Sequence, residues 1–397
     1  MIDIIKAEVE RALPKAIELR HKIHRSPELS FEEFETSKTV CGLLEELGIE
    51  YKAGIAGTGV LGIIRGEKHC GGKSKTVLIR GDMDALPVCE NSGVGFASEK
   101  RGVMHACGHD MHTSVLLCCA MVLSRMRDKF SGCVKLMFQP GEETSGGAKP
   151  MIDLGVLKNP HVDSCVALHV EPSLNVGQAR FKAGAAYACP DEFYIKIKGR
   201  GGHAAAPHES IDPILIASQV VCTLQTIVSR IANPLNPMVV SVCSIKGGEA
   251  YNVIPDEVEF KGTARSFSNE DRNMLEEKIE LAVKQACEMY GADYEYKFDR
   301  LFPPLINNEK TIMSLKSSAE KYLASENVIY GGDLTMAGED FSYLTEEVEE
   351  SALFWLGSTP IGAEKHPLHS DKLVVDDECL KYGTEIFVDY VLNYLND

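Results

Sequence analysis

Positive charge is in short supply. The chain carries 41 lysines and arginines against 58 aspartates and glutamates, a formal net charge of −17. Such an acidic chain is a poor partner for nucleic acid or an anionic membrane. A local basic site for a small anionic substrate remains compatible with it. No uninterrupted apolar run reaches membrane-spanning length. The stretch Met1-Ile2-Asp3-Ile4-Ile5-Lys6 has no signal-peptide pattern. Internal repeats and low-complexity linkers are missing too. So are His-Glu-x-x-His, the Gly-x-Ser-x-Gly elbow and the Walker lysine loop, which leaves those routes to hydrolysis without support.

What is present is ordinary in bulk: 44% apolar and 25% charged residues, the balance of a soluble globular protein. A chain of 397 residues exceeds what one core usually serves, so two domains are expected. The 13 cysteines are odd in number and follow no framework spacing. Several, such as Cys118 and Cys119, sit in apolar runs and read as buried free thiols of a reducing compartment. A cytoplasmic protein is expected.

One stretch is dense in chemistry. His105-Ala106-Cys107-Gly108-His109-Asp110-Met111-His112 packs three histidines, a cysteine and an aspartate into eight residues. Imidazole, thiolate and carboxylate are the ligands of divalent transition metals. The plainer alternative is a polar loop in which one histidine caps the following helix.

Helical periodicity covers most of 4–47. Pro27 breaks a first helix, and Gly48 ends a second over 34–47. His21 and His24 are three apart, but only Glu18 lies within a turn, so both read as local structural or surface residues. Gly57-Thr58-Gly59-Val60-Leu61-Gly62 fits the dinucleotide fingerprint. That motif needs a helix starting at the glycines, whereas 60–64 reads as a strand, and a nucleotide site is rejected.

Beyond it a pattern repeats. Short apolar runs at 76–80, 134–138 and 165–168 are followed by Gly81-Asp82-Met83-Asp84, by Gln139-Pro140-Gly141-Glu142-Glu143 and by His169. Such runs read as buried strands of a parallel sheet, with helices over 113–127 and 147–154 on its faces. In open α/β sheets sites form beyond the carboxyl ends of the strands. Three strands here end in acidic or imidazole groups.

From about 186 the composition changes. Strands over 191–198, 238–245, 253–265 and 292–298 alternate with helices over 212–230 and 269–290. The order β-α-β-β-α-β is the ferredoxin-like arrangement. The chain then returns with a helix over 310–324, a polar loop at Gly338-Glu339-Asp340-Phe341, a strand over 352–357, a loop at Pro367-Leu368-His369-Ser370 and a closing helix over 378–393. The expected architecture is α/β. A mixed, largely parallel sheet flanked by helices forms a phosphorylase/hydrolase-like catalytic domain (1–185 and 301–397). Into it is inserted an α+β lid or dimerisation domain (186–300).

The polar groups at loop positions are Asp82, Asp84, Cys107, His109, Glu142, Glu143, His169 and His369. One zinc-type ion needs three or four protein ligands, so this set suffices for two ions if a thiolate or carboxylate bridges. The cysteine argues against magnesium and calcium. Adjacent carboxylates such as Glu142-Glu143 can point apart, one binding metal while the other stays free as a base. A metal-activated water with such a base is the apparatus of hydrolysis.

These residues resemble a known family, the hippurate hydrolases and indole-acetyl-amino-acid hydrolases within the aminoacylase and glutamate carboxypeptidase group. The matching stretches are Arg20-His-x-x-His-x-x-Pro-Glu, Gly81-Asp-Met-Asp-Ala-Leu-Pro, His105-Ala-Cys-Gly-His-Asp, Gln139-Pro-Gly-Glu-Glu, Ala167-Leu-His, Gly199-Arg-Gly-Gly-His-Ala, Asn252-Val-Ile-Pro, Gly262-Thr-x-Arg and Gly338-Glu-Asp-Phe. They come in family order and span nearly the whole chain.

The resemblance implies two divalent ions per subunit, manganese or zinc among the transition metals. Cys107 would bridge them, with His109 and Glu143 on one ion and His169 and His369 on the other. Glu142 would be the general base and later the acid, and Asp84 would orient a ligand or the water. Many members of the wider group have His-x-Asp where this chain has Asp82-Met83-Asp84, and a bridging Asp in place of Cys107. His109 would supply the missing imidazole, and a thiolate bridge makes the centre oxidisable.

In the inserted domain, His203 would polarise the scissile carbonyl and stabilise the oxyanion, in several relatives across a dimer interface. Asn252 and Arg265 would anchor the substrate's α-carboxylate, for which the planar Arg fork is suited. A strand-end ion pair is the alternative for Arg265. His112, His208, Glu339 and Asp340 are near-site candidates, and His69, His161 and His366 are surface residues. The expected activity is hydrolysis of N-acyl-L-amino acids by a cytoplasmic homodimer that binds neither nucleic acid nor membrane. A dipeptidase or carboxypeptidase with the same centre is the near alternative. A non-catalytic binding protein is the distant one.

Overall fold

The computed structural model describes residues 1–68, 74–144 and 146–397, so His69 lies outside the described residues. The chain forms two compact units. Unit 1 comprises Met1–Gly184, Ile306–Asp333 and Asp340–Asp397, and unit 2 comprises Ala185–Leu305 and Leu334–Glu339. Residues 301–305 and 334–339, expected with the returning chain, thus belong to unit 2.

Unit 1 is built on a mixed eight-stranded sheet. Its order is β1 (Glu50–Ile55), β2 (Gly59–Arg65), β4 (Cys133–Gln139), β3 (Thr76–Asp82) and β5 (Ser164–Asn175), then the strands Glu350–Thr359, Ala179–Phe181 and Val328–Tyr330. The central run from β4 through β3 and β5 to Glu350–Thr359 is parallel. Every residue of β3 and β4 is buried, which explains their near-continuous apolar sequences. The fingerprint glycines lead into β2, a strand, as expected.

Helices α1 (Ile2–Arg25) and α2 (Phe34–Glu46) precede the sheet. Helix α3 spans His109–Arg125 and begins four residues earlier than expected, directly after Gly108 at φ +81°. It packs against α1, the last helix (Cys379–Asn396) and β3. All of 109–123 is buried, and a helix enclosed on every side is apolar on every side. Its early start places His109, Asp110 and His112 in the buried first turn instead of a solvated loop. The expected helix over 310–324 is shorter, Glu309–Ala319.

Unit 2 has the strand order Val239–Lys246, Glu257–Ser266, Cys189–Lys198, Asp293–Asp299, all neighbours antiparallel. Helices Pro213–Thr226 and Asn269–Tyr290 complete β-α-β-β-α-β, and their Ile216, Val220, Leu275 and Ile279 share a core with Phe193, Ile195 and Phe260 of the sheet. The strand expected over 253–265 is two strands. Pro255 cannot donate to a ladder, so the chain breaks there, and Val253–Ile254 pairs instead with Gly202–His203. Among the described residues one stretch, Pro213–Ile231, is long and apolar enough by length and composition to cross a membrane. It has 19 residues and a mean hydropathy of 1.6. Ser218, Gln219, Thr223, Gln225 and Arg230 interrupt it, so it is not a continuous apolar run in the sequence.

Candidate metal centre

Unit 1 brings the eight loop residues together. Asp82 ends β3, Glu142 and Glu143 come just after β4, His169 lies within β5, and Cys107 and His109 flank the Gly108 turn into α3. The Gly108 turn requires glycine: a Cβ there would lie 2.5 Å from Val170 Cγ2. The His369 loop is tied to the same segment by its backbone N–H, which donates to the Ala106 carbonyl at 2.7 Å. His369 holds a left-handed φ of +67°, a conformation costly for a side chain that large.

Among the sets of possible ligand atoms that converge within 4.8 Å of one another are Cys107, His109 and His169, and Cys107, Glu143 and His369. Cys107 is common to both. Its Sγ lies 3.5 Å from His169 Nε2. Glu143 Oε1 stands between two imidazoles, 3.8 Å from His109 Nε2 and 3.4 Å from His369 Nε2. His109 and Glu143, paired on one ion by the resemblance, also converge with Glu142 in a further triad.

The ring orientations are set from behind. His109 Nδ1 is 3.1 Å from Asp84 Oδ1, and His169 Nδ1 is 2.8 Å from the Val170 carbonyl oxygen, to which it can only donate. Each ring therefore turns Nε2 towards the cluster. Asp84 Oδ2 accepts from Ser30 Oγ at 2.7 Å and from the Glu143 N–H at 3.0 Å. Burial opposes its charge, yet these bonds and His109 hold its carboxyl below the usual range.

The cluster has the marks of a cation site. His109 Nε2 and Glu143 Oε1 are buried and have no hydrogen-bond partner among the described residues. Buried polar atoms are normally paired, so two orphans aimed at one thiol and two further imidazoles are best satisfied by a metal. Burial and Glu143 push the Cys107 thiol well up. A bound cation reverses that preference, because a coordinating thiol is deprotonated. The residues present fit divalent transition-metal ions, and Cys107 is common to two of the candidate ligand sets.

Glu142 is buried and lies with His109 and Glu143 within 4.8 Å, and its Oε1 accepts the Asp340 N–H at 3.4 Å. His112 is no ligand. Its Nδ1 bonds Asp82 Oδ1 at 2.6 Å, and its Nε2 accepts the Val170 N–H at 3.0 Å. Asp82 is likewise engaged, by Arg80 at 2.5 Å as well as by His112. At this position, where many members of the wider group have an imidazole, the carboxylate of Asp82 is bonded to Arg80 and His112 and lies 3.7 Å from His109 Nε2.

Sequence reasoning missed the layer beneath. His24 is neither local nor superficial: it is buried, 2.9 Å from Asp110 Oδ2 and 3.2 Å from Glu90 Oε1. Burial opposes its charge, but Asp110 and Glu90 raise its pKa to about 9. Arg20 joins Asp110 at 3.0 Å, and His21 stacks on Phe96. The i, i+4 spacing of Arg20 and His24 on one helix was the available signal. His105 is fully buried with both ring nitrogens unpaired, and burial lowers its pKa to about 4. His161 and His208 are exposed, and His366 is partly covered.

Unit 2 holds the remaining candidates. His203 is exposed on the short strand paired with Val253–Ile254, and its Nδ1 accepts the Ala205 N–H at 3.0 Å. Its Nε2 thus carries the ring proton. Asn252 is exposed, and its carbonyl accepts the Ala204 N–H at 3.1 Å. Arg265 bonds the carbonyls of Asp191 and Ala264 at 3.2 Å and the Thr263 hydroxyl. Its bonded partners among the described residues are neutral oxygens, so the strand-end ion pair is not formed. Glu339 is buried at the end of the short segment assigned to unit 2.

Three likenesses place the chain. It is 39% identical over 391 residues to thermostable carboxypeptidase 2 of Saccharolobus solfataricus, covering 96% of each chain. It is 39% identical over 339 residues to the N-acetyl-L-cysteine deacetylase of Bacillus subtilis, covering 85% of this chain and 79% of that one. A crystal structure of a Bacillus subtilis protein, a dinuclear metal binding peptidase from the M20 family, superposes with a TM-score of 0.84 at 31% identity over 98% of this chain and 99% of that one. The model of peptidase family M20/M25/M40 matches residues 78–393, and the chain belongs to that family.

Proposed function

We propose that the chain hydrolyses the amide bond of N-acyl-L-amino acids to a carboxylate and a free amino acid. The observation that carries this reading is the division within Glu142-Glu143. Glu143 turns its carboxylate to Cys107, His109 and His369, while the buried Glu142 is held by the Asp340 N–H in the same cluster. One carboxylate serves as a ligand and its neighbour is left to move a proton.

Cys107, His109, Glu143, His169 and His369 would hold the two ions, manganese or zinc. Bound there, such ions would acidify a water and polarise the acyl carbonyl. Glu142 takes the attacking water's proton and returns it to the leaving amine. Asp84 keeps His109 and Glu143 in place. His203 donates a hydrogen bond from its Nε2–H to the developing oxyanion. Arg265 and Asn252 hold the α-carboxylate, and the lack of an ion pair on Arg265 among the described residues supports that role.

A carboxypeptidase or dipeptidase reading uses the same centre, and the likeness to the Saccharolobus carboxypeptidase favours it. Assay of metal-reconstituted protein separates the two. Turnover of acetyl- or benzoyl-amino acids well above that of dipeptides with a free amine supports the proposal, and the reverse order supports the alternative. The panel also reports which metal serves.

A cytoplasmic homodimer completes the reading. All the described cysteines are free, as in a reducing compartment. Unit 2 leaves Ile214 and Leu215 exposed at one end of the stretch Pro213–Ile231 and Ile231 at the other, and Val239–Lys246 is an edge strand, features that a second copy would cover. Light scattering that gives a monomer's mass would remove this part.

A further inference from the structure

We propose that Arg80 is a positioning residue that sets the metal ligand His169 and the base Glu142 at once; this rests on the roles assigned above. Arg80 lies on β3 with its side chain wholly buried. Its three donor directions are all engaged. Nη1 donates to Asp82 Oδ2 at 2.5 Å, Nη2 to Asp340 Oδ1 at 2.6 Å and Nε to Gln139 Oε1 at 2.8 Å.

The first arm leads to His169. Asp82 Oδ1 bonds His112 Nδ1 at 2.6 Å, and the Val170 N–H donates to His112 Nε2 at 3.0 Å. That donation requires Nε2 to be unprotonated, so Nδ1 carries the proton and donates to Asp82. His112 is therefore a neutral connector that fixes the backbone at Val170. The carbonyl of that same residue accepts from His169 Nδ1 and turns His169 Nε2 towards Cys107.

The second arm leads to Glu142. Asp340 Oδ2 accepts from Gln139 Nε2 at 2.6 Å and from the Ala148 N–H at 3.0 Å. Held on both oxygens, Asp340 presents its own N–H to Glu142 Oε1. Gln139 is bonded to both Arg80 and Asp340, which makes the arm a closed ring of hydrogen bonds. A planar fork is needed to reach three acceptors; a lysine offers a point charge with no such geometry.

A mere structural ion cluster would lower stability when cut and leave the centre's chemistry alone. The positioning role predicts two separable effects. His112→Asn keeps a donor for Asp82 and removes the acceptor for Val170. It should shift the visible spectrum of the cobalt-substituted protein and weaken cobalt binding about 10–100-fold. Asp340→Asn should lower kcat about tenfold or more, with KM and bound metal unchanged. Arg80→Lys should show both effects, and if it does not fold, the single-arm variants decide.

The proposal is overturned if His112→Asn leaves the cobalt spectrum and affinity unchanged, or if Asp340→Asn leaves kcat unchanged. It is equally overturned if a folded Arg80→Lys keeps both properties. Glu142→Gln run alongside separates the two levels. Full activity there removes Glu142 as base, while the cobalt measurement on His112→Asn still stands on its own.

Discussion

Asp84 Oδ1 lies 3.1 Å from His109 Nδ1, and through its other oxygen the same carboxylate accepts the Glu143 N–H at 3.0 Å. One buried acid thus orients two neighbouring groups of the cluster. Asp84→Ala should weaken metal binding by about 10–100-fold, the usual effect of removing such a partner. Asp84→Asn should fall between wild type and alanine, since an amide oxygen still accepts from His109. Titration of the metal-free protein with zinc or manganese measures both, and unchanged affinity in the alanine variant would remove Asp84 from the site.

Cys107 belongs to two triads of converging atoms, one with His109 and His169 and one with Glu143 and His369. Cys107→Ser or Cys107→Ala should therefore disturb occupancy of both ions. Metal analysis of the purified variants is the measurement. Loss of a single equivalent would make Cys107 a terminal ligand.

His24 gives a pH dependence of known sign. Its folded-state pKa is raised to about 9, above the ordinary 6.5. The stability it contributes is full below about pH 6.5 and is lost as pH rises through 9, roughly 3 kcal/mol in all. His24→Gln should destabilise strongly at pH 6, with the gap to wild type closing by pH 10. Urea unfolding across that range reads it, and a gap independent of pH would show that His24 is not charged in the folded protein.

Glu385 works against the fold at high pH. Both of its carboxylate oxygens are buried without a hydrogen-bond partner among the described residues. Burial raises the carboxyl to about 7 despite Lys381 and Lys6. Stability from this group is present below the ordinary carboxyl range and is lost as pH rises through 7. Glu385→Met should raise the thermal midpoint at pH 8 more than at pH 5. Equal shifts at both pH values would contradict the buried, unpaired carboxylate.

The sheet and much of the centre were legible because the relevant signals are local. Buried parallel strands read as short apolar runs, and the polar residues at the carboxyl end of each run carry the chemistry: Asp84 after β3, Glu142 and Glu143 after β4. His369 was legible from the residues alone as one polar group in a loop, and its role as a ligand came only from the family resemblance. His112 and Asp340 were legible as near-site candidates, but the pairings of the supporting layer were not, because its partners are far apart in sequence. Arg80 and Asp340 are 260 positions apart, and His24 and Asp110 are 86 apart. Lys135 shows the same limit. A lysine in β4 argues against a buried strand, yet its Nζ is satisfied by the carbonyls of Val156, Lys158 and Pro160 at 2.6–2.8 Å. At Pro255 the hydrophobic alternation runs on through a residue that cannot join a ladder, so one strand was expected where two form.

The account turns on Glu142 moving the proton while its neighbour binds metal. Glu142→Gln removes the base and leaves Cys107, His109, Glu143, His169 and His369 in place. Metal content and kcat of this variant, measured on one preparation with an N-acyl-amino acid as substrate, test the claim most directly. Two equivalents of metal with kcat lower by about a hundredfold or more is the expected result. Two equivalents of metal with undiminished turnover would contradict it.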